Sequence, residues 1–195
     1  MLTPRRARYY LPTLRSPHRA SVASRLISRL DEVPHLEVVT SDGRSAGEPR
    51  RLADGFASRL GAQGFGPGDT LTVVLPNGPD FASAFLACMQ RGLTFVPLNP
   101  GLTPSVLEER MRLASVTGVL TADGNLVRRR PSPEPSGTAP AVILFTSGSS
   151  GDARAIALSE VGLLSVVDSH HAALGYPPGT PILGCLPWTH AFGFT

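Results

Sequence analysis

Hydrophobic and polar positions follow two different periods along this chain. Leu52, Phe56 and Leu60 recur about every four residues, which predicts an amphipathic helix over residues 49–62. The compact apolar run at residues 71–75 (LTVVL) instead predicts a buried strand. Further strands are expected at residues 36–40 (LEVVT), 94–97 (TFVP), 118–121 (GVLT), 141–145 (AVILF) and 182–186 (ILGCL), and further helices over 79–91, after Thr103 and after Ser159. This alternation predicts an α/β fold, a mostly parallel sheet flanked by helices.

One stretch breaks the regular pattern. Residues 128–140 (RRRPSPEPSGTAP) contain four prolines and no large apolar residue, so they predict an exposed loop or linker with the three arginines in solvent. At the other end of the chain, residues 1–30 are rich in Arg and Ser and contain no acidic residue. We therefore divide the chain into a disordered arm, 1–30, and a folded body, 31–195.

The charge is unevenly distributed between the arm and the body. The net charge is +3, and all 18 basic residues are arginines. Seven of them precede Asp31, and from there 11 arginines stand against 15 acidic residues. The body is thus mildly acidic, which argues against a nucleic-acid partner, since such binding needs clustered positive charge on the folded face.

Localisation follows from the arm, the hydropathy and the cysteines. The arm has the composition of an organelle presequence, and a solvated extension is the alternative. No apolar run reaches the roughly 18 residues of a membrane span. Cys88 and Cys185 both lie in apolar contexts, which predicts reduced core thiols. A cytoplasmic protein is therefore expected.

The chemistry of the chain concentrates after the apolar strand at 141–145. The loop TSGSSG, Thr146 to Gly151, offers hydroxyls and backbone N–H groups that can converge on an anion, and Arg154 can supply a counter-charge. A flexible surface turn has the same composition. A Walker loop is excluded because Asp152 follows Gly151, and the spacing does not fit a nucleophile elbow.

Three stretches together resemble the adenylate-forming enzymes, the family of acyl-CoA synthetases, luciferases and peptide-synthetase adenylation domains. FTSGSSGDAR resembles their phosphate-binding motif. Residues 64–100 (GFGPGDTLTVVLPNGPDFASAFLACMQRGLTFVPLNP) resemble their early strand–helix–strand unit. LPWTHAFGFT, at 186–195, resembles the segment L-P-x-x-H-x-x-G that follows the phosphate loop. The motifs occur in the family's order and extend the resemblance over about residues 49–195.

The resemblance implies an ATP-dependent ligase that needs Mg²⁺. A carboxylate would attack the α-phosphate of ATP, and the thiol of CoA or of a carrier-protein phosphopantetheine would then take the acyl group. The residues expected at the β- and γ-phosphates are Thr146, Ser147, Gly148, Ser149, Ser150, Gly151 and Arg154. His190 and Gly193 would line the acyl pocket, whereas no residue is assigned a catalytic or metal-binding role.

The match has departures that bear on these expectations. Ala153, Arg154 and Ala155 stand where the motif usually has Pro, Lys and Gly, and an arginine fork would change the contact geometry. Family members are much longer, and their remaining motifs would lie beyond Thr195. The expectation is therefore a truncated N-terminal domain of a fatty-acid ligase, inactive alone or completed by a second chain. The alternative is a non-catalytic remnant or a phosphate-binding module without ligase activity.

Several other residues are expected to be structural. His170 and His171 are adjacent and lack the i, i+4 spacing of a helical metal pair. Glu108 and Glu109 indicate an exposed helix face, and Trp188 is expected in the core. Apolar faces of residues 182–186 and of the helix after Ser159 are expected to remain exposed.

Overall fold

The computed structural model describes residues 21–32, 49–134, 139–146, 153–177, 180 and 182–194. The helices are α1 (Val22–Glu32), α2 (Pro49–Ala62), α3 (Pro79–Arg91), α4 (Pro104–Leu113), α5 (Glu160–Leu174) and α6 (Ala191–Phe194). The strands are β1 (Thr70–Val74), β2 (Thr94–Pro97), β3 (Gly118–Thr121), β4 (Leu126–Arg128), β5 (Val142–Thr146) and β6 (Arg154–Leu158). None of the described helices is both long and apolar enough to cross a membrane.

The strands form one sheet with the order β4-β3-β1-β2-β5-β6. The four central strands are parallel, while β4 and β6 pair antiparallel at the two edges. Helix-linked parallel strands account for the continuous burial of β1 and β2, since both faces of such strands are covered. The predicted α/β class and mostly parallel sheet are confirmed.

Local sequence signals explain where the helices begin and end. Pro79 and Pro104 stand at the starts of α3 and α4, where a missing backbone N–H costs nothing. Gly92 ends α3 with a left-handed φ of 68°. The Ser159 hydroxyl accepts a hydrogen bond from the Gly162 N–H and caps α5 as expected.

Two apolar clusters cover the faces of the sheet. The first includes Phe65, Phe95 and Leu163, and the second includes Val96, Met111 and Phe145. Packing at the first cluster is close enough to require a glycine, because a Cβ at position 118 would lie 2.3 Å from the Phe65 ring.

A buried ion pair joins the turn before β1 to the edge strand β4. The Asp69 side chain is fully buried, and Arg128 donates to its two oxygens at 3.1 and 3.3 Å. Gly66 N–H and the Ser132 hydroxyl also donate to this carboxylate. Burial alone raises the pKa of the Asp69 carboxyl, but the hydrogen bonds, with Arg128 foremost, outweigh it and leave the pKa below its usual value.

This ion pair corrects the expectation for Arg128, whereas residues 129–134 are exposed and lie outside the strands, as expected. Arg128 lies in β4 and its guanidinium stacks over the Phe65 ring at 3.9 Å, so it is not a solvated loop residue. Arg129 instead pairs with the exposed carboxylate of Glu108, and this contact lowers the pKa of that group. The hydrophobic pattern missed β4 because it is short and ends in an arginine.

Other sequence expectations are also corrected. Residues 182–186 form no strand and are exposed, so Cys185 is exposed, whereas Cys88 is buried as expected. Strand β6 was not anticipated, because its alternating alanines also suit a helix. Helix α1 crosses the arm boundary at residue 30 and buries Val22, so residues 22–30 are part of the fold. The predicted strand at 36–40 lies outside the described residues.

Candidate functional site

The candidate site lies along the edge of the sheet that is formed by the carboxyl ends of the parallel strands. Strands β1, β2 and β5 are parallel, so their carboxyl ends meet at the same edge. Thr146 is the last residue of β5, while Asn77 and Asn99 follow the ends of β1 and β2. Ligands of open α/β sheets bind outside the carboxyl ends of strands. The position of the TSGSSG sequence after β5 therefore fits a ligand-binding loop.

The β5–β6 pair brings the two ends of the phosphate-loop motif together. Thr146 is the register partner of Arg154, so the threonine before the loop and the arginine after it are neighbours on adjacent strands. Both residues are exposed. The predicted loop residues Ser147, Gly148, Ser149, Ser150 and Gly151 lie outside the described residues.

The 186–194 segment is held at the same sheet edge by Asn77. The Asn77 side-chain amide donates to the Leu186 carbonyl at 2.7 Å, and its oxygen accepts from the Trp188 N–H at 2.8 Å. Because Asn77 follows β1, this double contact places the segment beside the carboxyl ends of the parallel strands. The sequence reasoning missed Asn77, although the Asn77-Gly78 turn directly after a buried strand was a usable signal.

Aromatic rings pack the segment against α3 and β2. Trp188 meets Phe81 edge to face at a centroid distance of 5.5 Å. Phe194 contacts Phe85 in the same geometry at 5.2 Å and stacks on Phe95 at 6.1 Å. These contacts confirm that Trp188 packs against the core.

His190 and Gly193 lie at the start of α6 and within it. The His190 N–H donates to the Pro187 carbonyl, and His190 itself is exposed. A Cβ at position 193 would lie 2.3 Å from the Pro187 carbonyl oxygen, so a glycine is needed for α6 to fold back on this turn. The structure therefore gives Gly193 a backbone role and leaves the His190 side chain at the surface near the site.

Among the described residues, no group of three or more His, Cys, Asp or Glu side chains is placed to hold a metal ion. His170 and His171 lie exposed on α5, as the sequence suggested.

Comparison with known proteins identifies the family. Residues 29–131 match the model of the AMP-binding enzymes. The chain belongs to the AMP-binding enzyme family. The chain is 25% identical over 186 residues to a fatty acid–[acyl-carrier-protein] ligase, MmaC, of Mycobacterium marinum, a match that covers 76% of the chain and 35% of the relative. It is also 30% identical over 173 residues to a non-canonical nonribosomal peptide synthetase, CymA, of Salinispora arenicola, covering 82% of the chain and 2% of that protein.

Solved structures share the fold of this member of the AMP-binding enzyme family. VinN in complex with L-aspartate has a TM-score of 0.75 at 22% identity, covering 90% of this chain and 53% of VinN. O-succinylbenzoate coenzyme A synthetase (MenE) of Bacillus subtilis, in complex with AMP, has a TM-score of 0.72 at 19% identity, covering 87% and 50%. The chain thus spans about half of these structures and about a third of MmaC.

Proposed function

We propose that this chain forms the phosphate-binding and acyl-facing part of an AMP-forming carboxylate ligase. A carboxylate oxygen attacks the α-phosphorus of ATP, pyrophosphate leaves, and an acyl-adenylate forms. A thiol, of CoA or of a carrier-protein phosphopantetheine, then takes the acyl group and releases AMP. Membership of the AMP-binding enzyme family supports this proposal, as does the position of the phosphate-loop motif between β5 and β6.

The phosphate end of the site is assigned to the β5–β6 connection. Thr146 and the loop Ser147, Gly148, Ser149, Ser150 and Gly151 donate hydrogen bonds to the β- and γ-phosphates, and Arg154 balances their charge. The single observation that carries the assignment is the register Thr146–Arg154, which sets an alcohol and a cation side by side at the sheet edge.

The family implies Mg²⁺. Among the described residues, no group of three or more His, Cys, Asp or Glu side chains is placed to bind it. Magnesium commonly binds through one or two carboxylates together with substrate phosphates. We therefore assign no step of the reaction to a metal ligand from the described residues.

The acyl end is assigned to His190 and Gly193, beside the same sheet edge. A carboxylic acid is already ionised near neutral pH, so the first step needs no general base, and His190 shapes the pocket instead. A fatty acid is the proposed substrate, supported by the 186–195 motif and by the fatty-acid ligase among the relatives.

The phosphate assignment is tested by calorimetric titration of the 195-residue chain with Mg·ATP. We expect Arg154→Gln to weaken binding about tenfold, since a charge-assisted hydrogen bond to phosphate is lost. The matched control is Arg112→Gln, which changes an exposed arginine of α4. Equal affinity of the Arg154 variant and the parent chain would remove Arg154 from the site, and absence of any ATP binding would contradict the phosphate assignment itself.

A second measurement addresses catalysis. Because the chain spans about a third of MmaC and about half of the MenE structure, we expect these 195 residues alone to show no acid-dependent exchange of pyrophosphate into ATP. Exchange by the purified chain, above that of the Arg154→Gln variant, would show that these 195 residues are sufficient to form the acyl-adenylate.

A further inference from the structure

The side-chain amide of Asn77 hydrogen-bonds to the backbone of a segment that is not paired as a strand. Its nitrogen donates to the Leu186 carbonyl and its oxygen accepts from the Trp188 N–H, so one side chain binds the residues on both sides of Pro187. A primary amide has a donor and an acceptor at its tip and can satisfy both backbone groups at once.

The apolar side chains of residues 182–186, which lead to these hydrogen bonds, are largely exposed to solvent. Ile182 and Leu183 are 75% and 87% exposed, and Leu186 is 44% exposed. Burial therefore does not fix the backbone at residue 186. The aromatic contacts begin at Trp188, one of the two residues that Asn77 binds, and continue at Phe194, so none of them involves Leu186. Among the described contacts, the amide is the one that binds the backbone at residue 186 itself to the end of β1.

Contacts with the Pro187 carbonyl link the position of this backbone to the positions of His190 and Gly193. The Pro187 carbonyl accepts the His190 N–H, and the close approach of Gly193 to the same carbonyl leaves no room for a larger residue. A shift of the Leu186–Trp188 backbone would therefore move His190 and α6 with it.

We propose that Asn77 is a positioning residue of the ligand site: its amide fixes the backbone around Pro187 and thereby sets the location of His190 and Gly193. The link to an acyl ligand rests on the proposed function, whereas the positioning itself is measurable without any ligand.

The positioning is tested with Trp188, the single tryptophan of the chain. In Asn77→Ala we expect a red-shifted emission and acrylamide quenching that is about twofold stronger, because the segment opens locally. The matched control is Asn125→Ala in the β3–β4 turn, where the backbone of Asn125 makes the hydrogen bonds. Unchanged emission and quenching in Asn77→Ala would overturn the proposal.

A fold check and a conservative variant separate positioning from general damage. Circular dichroism must show native helix content in Asn77→Ala, and a fluorotryptophan label gives one resonance that reports Trp188 alone. Asn77→Asp keeps the acceptor and regains a donor only when protonated, so its Trp188 signal should return toward that of the parent as the pH falls through about 4. If Asn77→Ala is misfolded, failure of this return in a folded Asn77→Asp overturns the proposal.

The ligand arm uses decanoate with Mg·ATP as probes, again followed through Trp188. We expect the parent chain to respond and Asn77→Ala to require several-fold more decanoate. An equal response of both chains would overturn the positioning role. No response in the parent, together with a displaced Trp188 in Asn77→Ala, would contradict the proposed acyl site and support the positioning by Asn77.

Discussion

Two regions of the molecule, the strands β1 and β2 and the segment from β6 to residue 194, are stabilised in different ways. Around β1 and β2 the chain is packed from both faces, and Phe65, Leu71 and Phe95 have no exposed surface. The region from β6 to residue 194 instead exposes many large apolar side chains. They are Ile156, Val166, Val167, Leu174, Tyr176, Ile182, Leu183 and Leu186. The second region is nevertheless held by specific polar contacts, among them the Asn77 amide and the bidentate Arg25–Asp168 pair between α1 and α5.

The largest effect is expected from the buried ion pair of the first region. Asp69→Asn should lower the free energy of unfolding by about 3 kcal/mol, because it leaves the Arg128 guanidinium without a counter-charge. The matched variant Glu108→Gln breaks the exposed pair with Arg129 and should have a much smaller effect on unfolding, because solvent screens that pair. Urea unfolding followed by circular dichroism measures both. Equal losses would show that burial does not distinguish these two pairs.

Acid should weaken the same contact. The pKa of the Asp69 carboxyl is lower in the folded chain than its usual value, so the unfolded chain binds more protons between the two pKa values. The stabilisation is complete above the unfolded value of about 4 and is lost as the pH falls through the folded one. The difference in unfolding free energy between the parent and Asp69→Asn should therefore shrink over this range. A difference that is constant with pH would contradict the ion-pair assignment.

The smallest effect on stability is expected in the second region. The double variant Val167→Ser and Leu183→Ser alters side chains that are 51% and 87% exposed, so unfolding should change by less than about 0.5 kcal/mol per site. Binding of a hydrophobic dye should nevertheless fall, because these residues belong to the exposed apolar set. Val127→Ser, at a 46% exposed site on β4, is the control. An equal fall in dye binding for the control would remove the contrast between the regions.

The sequence predicted the first region well because periodicity reports burial. Residues 79–91 and 94–97 were placed at the observed bounds of α3 and β2, where the apolar period and the flanking Pro and Gly agree. Residues 182–186 are equally apolar, yet they form no strand. Hydrophobicity alone does not specify a strand, and residues 182–186 pair with no strand in the described part of the chain.

The candidate site was predictable only in its motif residues. The loop and Arg154 were found from residue types, but the antiparallel strand that pairs Arg154 with Thr146 was not. Asn77 lies 109 positions before Leu186, and no local pattern reports a contact across that distance. The turn at Asn77-Gly78 can be read from the sequence, but its contact with the 186–188 segment requires the tertiary structure.

The two thiols of this chain differ in a way that has a practical use. Cys88 is fully buried, and burial raises the pKa of its thiol, which suppresses the reactive thiolate. Cys185 is exposed and directly precedes Leu186. A maleimide dye or spin label should therefore attach at one defined point without any engineered cysteine, next to the Leu186–Trp188 backbone that Asn77 holds.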